Sequence, residues 1–407
     1  MGPLAGIKVL DLSRILAGPW ATQCLADFGA TVWKIEKPGS GDDTRQWGPP
    51  WIPDGKGRPT SDSAYFASAN RGKLSLAIDF TKPAGQQLIR SLALRADVLI
   101  ENFKVGTLAK YRLGYDSLKG VNPRLIYCSI SAYGQDGPAA AEPGYDAMIQ
   151  AISGLMSITG VPDGEPGAGP VKVGVAVSDL ITGLYASNAI MAALVEREQS
   201  GRGEYIDLAL LDSQVAALAN QALNFLFTGQ SPQRRGTAHP NIVPYQAFPT
   251  QDSWLMLAVG NDRQFEAFCR AAGRGPLAED PRFRSNADRV AHREALIPEI
   301  EKACRQKTTA AWIRLLAAAG VPCGPINNIA EVFEEPQVKH RKLRFDVAHA
   351  KGAQLPLVRQ PALFARLAGT ADAPPPLLGA NTGDVLSDEL GLTSDEILSL
   401  KGDGTIA

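Results

Sequence analysis

The sequence predicts an α/β protein with two domains, and three observations support this prediction. The chain has 407 residues, more than a single hydrophobic core usually organises. Short apolar runs alternate with helical patterns through residues 1–130, as they do where crossover helices join parallel strands. After a polar break at 225–245, a few strands lie among charged helical stretches. That change of pattern predicts a second, smaller α+β domain.

The composition is that of a soluble protein, with 45% hydrophobic and 20% charged residues. The net charge is −1, from 41 basic and 42 acidic residues, so no nucleic-acid partner is expected. The five cysteines form no Cys-x-x-Cys pair, which favours reduced thiols inside a cell. There is no basic-then-apolar leader and no uninterrupted apolar span. We therefore expect a cytoplasmic protein with no membrane partner.

The N-terminal region reads as a βαβ unit. A strand is predicted over 6–12, a helix opens at Pro19 and ends at Gly29, and a second strand covers 31–36. The turn between the first strand and the helix holds only Gly18 and lacks the Gly-x-Gly-x-x-Gly pattern. A nicotinamide dehydrogenase is therefore disfavoured.

Further elements follow in the same alternating order. Residues 37–63 are polar and rich in Gly and Pro, which predicts a long functional loop. We expect a helix near 83–96, strands at 97–101, 124–131 and 204–209, and a helix from about 180 to 197. In the smaller domain the pattern predicts a strand at 253–259 and helices near 262–272, 290–305 and 308–320.

These patterns give a provisional division of the chain. Residues 1–200 are expected to form the large domain, 201–230 a linker, and 231–330 the small domain. Residues 331–407 would form a second linker and a return to the large domain. The small domain would then be an insertion in the large one.

Asp179 lies where a short apolar run, 170–177, meets a long apolar helical segment. A carboxylate there can accept hydrogen bonds from free first-turn N–H groups and is favoured by the helix dipole, so we expect it to stay ionised. Such a group is either a helix cap or a nucleophile, and spacing alone favours the cap. Tyr145 and Asp146, before another apolar segment, likewise read first as a core tyrosine and a cap.

Several other chemistries lack their usual residue patterns. The four histidines are scattered and no His-Glu-x-x-His or cysteine cluster occurs, so no metal site is predicted. No Gly-x-Ser-x-Gly elbow is present either, which argues against a serine hydrolase.

Motifs along the whole chain nevertheless follow one known pattern. They are Leu4-x-Gly6-Ile7-x-Val9-Leu10-Asp11, Ala17-Gly18-Pro19, Gly29-Ala30-x-Val32-x-Lys34-Ile35-Glu36, Gly39-x-Gly41-Asp42-x-x-Arg45, Asn70-Arg71-x-Lys73-x-Ser75, Glu101-Asn102-Phe103, Tyr133-Gly134-Gln135, Gly320-x-Pro322-x-Gly324-Pro325 and Leu378-Gly379-x-x-Thr382. Jointly they resemble the class III CoA-transferases of the CaiB/BaiF type, which include formyl-CoA:oxalate transferases and the related alpha-methylacyl-CoA racemases.

The resemblance implies a fold, a reaction and a set of site residues. It implies a Rossmann-like parallel sheet in the large domain and a homodimer of interlocked rings, with the active site between the large domain and the partner's small domain. The substrates would be an acyl-CoA and a small carboxylic acid, with no prosthetic group. Asp179 matches the family nucleophile, which forms an aspartyl anhydride and then an aspartyl-CoA thioester. The family positions that support the active site match Tyr145, Asp146 and Gly260. CoA-binding positions match Arg14, Ile15, Leu16, Ala17, Lys37, Asn70, Lys73, Asn102, Phe103 and Lys110.

Departures from the family pattern narrow the subtype. Racemases carry His where Tyr145 stands, and a tyrosine is a poor base at neutral pH. Formyl-CoA:oxalate enzymes have Gln at the position of Leu16. A racemase and a non-catalytic CoA-binding protein remain as alternatives.

The segments 236–245 and 260–265 resemble the group that uses succinyl-CoA and dicarboxylates such as glutarate or hydroxymethylglutarate. The second carboxylate of such an acceptor needs a cation. Arg235 and His239 are the candidates, with neighbouring Arg234 as a further one, and an exposed linker arginine is an equally good reading of Arg235.

Overall fold

The computed structural model describes residues 2–366 and 373–407. Two compact units are present, and each is made from separate stretches of the chain. The first unit combines Met1–Leu155, Lys172–Gln230 and Gln337–Ala407. The second unit combines Met156–Val171 and Ser231–Pro336.

The first unit is built on a parallel sheet, as the sequence predicted, and this sheet has six strands. Its strands are β1 (Lys8–Asp11), β2 (Thr31–Glu36), β5 (Leu74–Ala77), β6 (Val98–Glu101), β7 (Ile126–Ser131) and β10 (Tyr205–Ala209). They lie in the order β5-β2-β1-β6-β7-β10. This is the doubly wound Rossmann order, and it reverses direction between β1 and β6. Ligands of such sheets bind outside the carboxyl ends of the strands at that reversal.

Both faces of the sheet are covered, which explains the apolar strands. In register, Val9 lies beside Val32 and Val98 on one face, while its neighbour Leu10 belongs to the other. Two separate clusters of buried side chains result, one on each face.

The helices of the first unit lie on these two faces and around the strand ends. They are α1 (Ala17–Asp27), α2 (Ala64–Ala69), α3 (Pro83–Ala93), α4 (Thr107–Lys110), α5 (Tyr115–Leu118), α6 (Asp146–Ile152), α8 (Val177–Ser200), α9 (Leu210–Ala217), α10 (Ala219–Thr228), α18 (Thr382–Leu390) and α19 (Ser394–Gly402). By length and composition alone α8 could cross a membrane. It packs against α1 and contributes Ala186 and Ile190 to the buried core, as the central helix of a soluble domain does.

Residues near 380–407 return to the edge of the sheet. The Ser75 N–H donates to the Asn381 side chain, and the Ala77 N–H donates to Thr382. Ile406 forms a β-bridge with Ile78 next to β5. Two hairpins complete this unit, β3 (Trp51–Pro53) with β4 (Pro59–Ser63), and β14 (Arg344–Ala348) with β15 (Gln354–Val358).

The second unit is an α+β structure with its own core. Its strands are β8 (Gly160–Val161), β9 (Gly169–Pro170), β11 (Tyr245–Pro249), β12 (Trp254–Ala258) and β13 (Cys323–Pro325). Its helices are α11 (Asp262–Ala271), α12 (Gly275–Glu279), α13 (Asn286–Ala291), α14 (Arg293–Cys304), α15 (Thr309–Ala318) and α16 (Ile329–Glu334). The helices α7 (Leu155–Ile158) and α17 (Pro336–His340) lie at the boundaries between the units. One 3₁₀ turn occurs in the first unit, at Asp43–Gln46, and another in the second, at Pro281–Phe283. The aromatic core includes Phe265, Phe268 and Trp312.

The structure differs from the sequence-based division in two places. The stretch 201–230, expected as a linker, carries β10, α9 and α10, because its apolar residues complete the first unit. The extended run expected before Asp179 is reduced to Gly169–Pro170, and α8 begins earlier than predicted, at Val177.

Candidate active site

Asp179 is the third residue of α8, and it does not cap that helix. The N-cap residue is Ala176, which has no side chain to accept a hydrogen bond. The N–H groups of Ser178 and Asp179 instead donate to the Asp146 carboxylate, at 2.8 and 3.4 Å. The cap interpretation of Asp179 is therefore wrong, and the positive end of α8 is occupied by Asp146.

Asp146 is held in place by its own helix. It is the first residue of α6 and follows Tyr145, the N-cap residue. The Gln150 side-chain amide, one turn later, donates to Asp146 at 2.7 Å. Because Asp146 contacts both helices, it fixes the start of α8 relative to the start of α6.

The pKa of Asp179 is raised to about 7, first by burial and second by the nearby negative charge of Asp146. We expected helix-terminal hydrogen bonds to keep this carboxylate ionised, but Asp146 accepts those bonds. A carboxylate with a pKa near 7 is more basic than an ordinary one, so its ionised form is a stronger nucleophile.

A glycine lets α8 approach α1 closely near Asp179. A Cβ atom at Gly183, one turn after Asp179, would lie 2.7 Å from the carbonyl oxygen of Ala17 and 3.0 Å from the Trp20 ring. Only glycine allows this approach without displacing α1. It brings the first turn of α8 next to the loop that follows β1.

The other wall of the site lies at the reversal of the sheet order, where the loops after β1 and β6 meet. The Arg14 N–H donates to the Asn102 side-chain oxygen at 2.8 Å, and the Asn102 amide donates back to the Arg14 carbonyl at 2.7 Å. The Arg14 guanidinium lies 5.3 Å from the centre of the Phe103 ring. This reciprocal pair joins the two loops into one surface at the place where doubly wound folds bind ligands.

Ile15 adopts a strained backbone conformation in this wall, with φ of 71°. That region costs a β-branched residue about 1–2 kcal/mol. The Ile15 N–H is held by both oxygens of Asp42, at 3.3 Å each, and Asp42 is itself paired with buried Lys34 at 2.9 Å. A fixed charge pair thus maintains the strained turn.

These elements surround a cavity of about 210 Å³. It brings together most of the residues that the family resemblance named, namely Arg14, Ile15, Leu16, Ala17, Asn102, Phe103, Tyr145, Asp146 and Asp179. Tyr145 is 64% exposed, so it is not a core residue. Across residues 2–366 and 373–407, no group of three or more His, Cys, Asp or Glu side chains is arranged to hold a metal ion.

Four expected CoA-binding residues lie outside this lining. Lys37 and Lys110 are exposed and do not contribute to the cavity wall. The Lys73 ammonium is fully buried and bonded to Asp11 at 3.1 Å and to Asn70 at 2.9 Å. In this structure neither Lys73 nor Asn70 is available for a phosphate group, and both stabilise the sheet edge instead.

Sequence reasoning missed several residues of the cavity. Lys104 and Val105 follow the predicted Asn102-Phe103 pair directly, Ser131 is the last residue of β7, and Ala132 follows it. Their position at or after the carboxyl ends of strands in a parallel sheet was the signal that could have identified them. Gly144 was also missed, and a Cβ atom there would lie 2.4 Å from that of Ala132.

Gly260 and the expected acceptor-binding residues belong to the second unit. Gly260 lies two residues after the end of β12, and its N–H donates to the Gln264 side chain at 2.8 Å. Arg234 forms an ion pair with Asp163, whereas the adjacent Arg235 is exposed and has no such pair within the described residues. The structure therefore separates the two neighbouring arginines that the sequence could not distinguish.

Comparisons with known proteins identify the family of this chain. The succinate–glutarate CoA-transferase of Agrobacterium fabrum is 48% identical, over 95% of either chain. The succinyl-CoA:glutarate CoA-transferase of Mus musculus is 42% identical, over 100% of this chain and 91% of the mouse protein. The crystal structure of a CaiB/BaiF family protein from Brucella suis superposes with a TM-score of 0.83 at 46% identity, covering 95% of this chain and 99% of that one. The family model described as CoA-transferase family III matches residues 4–382. This chain therefore belongs to CoA-transferase family III and is a CoA-transferase.

Proposed function

We propose that this enzyme moves CoA from succinyl-CoA, or a similar acyl-CoA, to a small dicarboxylic acid, with Asp179 as the nucleophile. The observation that carries this proposal is the Asp179 carboxylate in a cavity at the sheet reversal, with its pKa raised to about 7. The dicarboxylate acceptor is supported by relatives named as succinate–glutarate and succinyl-CoA:glutarate CoA-transferases.

The proposed reaction has four steps. The Asp179 carboxylate attacks the thioester carbonyl, the C–S bond breaks, and a mixed anhydride and a CoA thiolate form. The thiolate attacks the aspartyl carbonyl of the anhydride, which gives an aspartyl-CoA thioester and releases the donor acid. The acceptor carboxylate then attacks that thioester and forms a second anhydride and thiolate. Attack of this thiolate on the acceptor carbonyl yields the new acyl-CoA and returns Asp179 as a carboxylate.

Within this proposal, the loops after β1 and β6 bind CoA. Lys104 and Arg14 lie on the cavity wall, and the Arg14 guanidinium also pairs with Asp43 at 2.9 Å. Lys104 in particular places positive charge where a phosphate or the developing oxyanion gains from it. The apolar wall, which includes Leu16, Ile130 and Leu210, limits the entry of water that would hydrolyse the anhydride.

The test is to trap the aspartyl intermediate. The enzyme is incubated with its acyl-CoA donor and no acceptor acid, then treated with hydroxylamine, and the peptides are analysed by mass spectrometry. We expect a hydroxamate at Asp179, because hydroxylamine attacks both the anhydride and the aspartyl thioester. Asp179→Ala should lose the adduct and reduce transfer by about 10³-fold or more.

A matched control is available in α18. Asp384 is the third residue of that helix, as Asp179 is of α8, and it is exposed. Asp384→Ala should retain both transfer and the adduct. Wild-type turnover by Asp179→Ala, or an adduct at another residue, would contradict the proposal.

We further propose a homodimer, as the family resemblance implies, and a cytoplasmic location, which fits the five free cysteines. The dimer is supported by α10, in which none of the ten residues is buried although Leu226 and Phe227 are 72% and 85% exposed. An apolar face of this kind is unfavourable in water unless another surface covers it. Light scattering measures the mass in solution, and a single-chain mass would contradict the dimer.

A further inference from the structure

A row of polar side chains crosses three neighbouring strands of the parallel sheet in the first unit. In register, Glu101 of β6 lies beside Ser129 of β7, and Ser129 lies beside Asp207 of β10. The Ser129 hydroxyl donates to the Glu101 carboxylate. Gln135, in the loop after β7, donates its backbone N–H to Asp207 and its side-chain amide to Ser129, at 3.1 Å each. We call these four hydrogen-bonded residues the polar row.

Glu101 also bonds to the chain that follows β6. It is the last residue of that strand, and its second carboxylate oxygen accepts from the Phe103 N–H at 2.8 Å. Asn102, between the two, exchanges hydrogen bonds with the backbone of Arg14, and the Phe103 ring lies 5.3 Å from the Arg14 guanidinium. The turn closed by Glu101 therefore places both residues that join the loop after β6 to the loop after β1.

The next two residues, Lys104 and Val105, line two cavities. One is the active-site cavity of about 210 Å³, and the other, of about 420 Å³, has Glu101 in its wall. Open space beside both cavities leaves fewer packing contacts to fix this segment than a closed core provides. Hydrogen bonds hold it at its two ends, from the Phe103 N–H to Glu101 and from the Thr107 N–H to the Lys104 carbonyl at 2.9 Å.

The Glu101 carboxyl is buried without a countercharge. It is 6% exposed, and no basic side chain within residues 2–366 and 373–407 forms an ion pair with it. Burial raises its pKa to about 7, although the hydrogen bonds from Ser129 and Phe103 act to lower it. An acid buried in this way makes a fold less stable than a well-packed apolar residue would. Such an unfavourable group is typical of positions that serve function.

We propose that Glu101 is a positioning residue for CoA binding, which directs residues 102–105 through the Phe103 N–H while the polar row holds its own carboxylate in place. This inference rests on the proposed function, in which the loops after β1 and β6 bind CoA. Glu101 acts through Phe103 and Lys104 and does not itself contact CoA. The free enzyme then presents this wall already ordered, so less conformational entropy is lost when CoA binds.

The test removes the acceptor of the Phe103 N–H. Glu101→Leu keeps a side chain of similar size that accepts no hydrogen bond. The KM for succinyl-CoA and the Kd for CoA should rise by about 10–100-fold, the usual effect of losing a hydrogen bond to a charged group. Because bound CoA orders residues 102–105 again, kcat with glutarate should change by less than about threefold. Steady-state kinetics give KM and kcat, and calorimetry with free CoA gives Kd.

Two further variants separate the hydrogen bond from the charge. Glu101→Gln keeps an oxygen that accepts the Phe103 N–H, so it should raise KM and Kd by less than about threefold. Ser129→Ala removes the bond that holds Glu101 from β7 and should raise both constants by about 3–10-fold. If Glu101→Leu does not fold, unchanged constants for Ser129→Ala overturn the inference.

Glu396→Leu is the matched control. The Glu396 carboxylate also accepts a backbone N–H, that of Thr393 at 2.8 Å, but it is exposed and belongs to α19. This variant should keep the KM for succinyl-CoA and the Kd for CoA of wild type. A purely structural role of Glu101 would lower the unfolding temperature of Glu101→Leu while the folded enzyme kept both constants, and that result would overturn the inference.

Trapping with hydroxylamine separates this inference from the proposed function. If Glu101→Leu binds CoA weakly but wild type forms no hydroxamate at Asp179, the proposed mechanism fails while the positioning role stands. If wild type forms the hydroxamate and Glu101→Leu binds CoA as tightly as wild type, the positioning role fails while the mechanism stands.

Discussion

Two carboxylates near the carboxyl edge of the same sheet have opposite electrostatic surroundings. Asp11, the last residue of β1, is fully buried and faces Lys73 at 3.1 Å. Burial acts to raise its pKa, but Lys73, Lys34 and two hydroxyl donors hold that pKa below its usual value. Among the residues that the structure describes, no basic side chain forms an ion pair with Asp179, and burial, followed by the charge of Asp146, raises its pKa to about 7.

The comparison shows that the partner, more than burial itself, decides what a buried carboxylate can do. Asp11 is permanently ionised and neutralised, so it orders the strand ends and is a poor nucleophile. Asp179 is left basic, which destabilises the fold but suits attack on a thioester. Three predictions test this contrast.

The largest effect on stability should come from Asp11→Asn. It leaves Lys73 buried without a countercharge, and breaking such a pair costs about 3–5 kcal/mol. The free energy of unfolding, measured with urea at pH 7, should fall by that amount. Asp11→Asn combined with Lys73→Met should recover part of the loss, because no buried charge then remains at that pair. A loss below about 1 kcal/mol would mean that the pair contributes little.

Asp179→Asn should raise the free energy of unfolding, whereas Asp11→Asn lowers it, and the size of the increase should depend on pH. The folded-state pKa of Asp179, about 7, lies above the ordinary value of 3.8, so the folded chain binds this proton more tightly than the unfolded chain. The resulting stabilisation is present below pH 4 and is lost as the pH rises through 7. The asparagine variant avoids that loss and should be more stable than wild type at pH 8, by about 1–2 kcal/mol after allowance for solvent screening.

Near pH 4 the two proteins should unfold at the same denaturant concentration. Asp384→Asn provides the comparison, because Asp384 holds the same position in its helix but is exposed. A variant of Asp179 that is less stable than wild type at pH 8 would show that this carboxylate has a favourable partner.

The smallest expected effect is that of Asp146→Asn on the pH dependence of activity. The amide oxygen still accepts the Ser178 N–H, so α8 keeps its cap, but one negative charge near Asp179 is removed. Burial is the larger cause of the raised Asp179 pKa. The midpoint of the acidic side of the pH profile of kcat/KM for the acyl-CoA donor should therefore fall by only about 0.5–1 pH unit. If this midpoint does not change, burial alone raises the Asp179 pKa. If it moves to higher pH, the proposed repulsion between the Asp146 and Asp179 charges is wrong.

Much of the first unit could be predicted from sequence because its strands and helices carry local signals. The runs around β1, β2 and β6 are apolar on both faces, and Gly29 and Gly201 end helices with positive φ. The strand β5 and the hairpins β3–β4 and β14–β15 were not predicted. They are only three to five residues long, which is too short for a clear alternating pattern, and β5 pairs with β2 from a distant part of the chain.

Where family motifs preserve residue identity, as at Asp179 and Asn102, the sequence named residues that line one cavity in the structure. The site was not predictable where three-dimensional pairing decides the role. Lys73 matches a CoA-binding position, yet its ammonium faces Asp11 in the core.

The return of residues 379–407 to β5 has a consequence for biosynthesis. The sheet would otherwise end in an open edge, which invites pairing with another chain. Here that edge is occupied through Ser75, Ala77 and Ile78 by residues made roughly three hundred positions later. During translation β5 is therefore synthesised well before these residues, and until they are made the hydrogen-bonding groups on its outer edge stay unpaired. The ribosome-bound chain is most exposed to misassembly in that interval, and tags or deletions after Leu392 should reduce soluble yield before they affect catalysis.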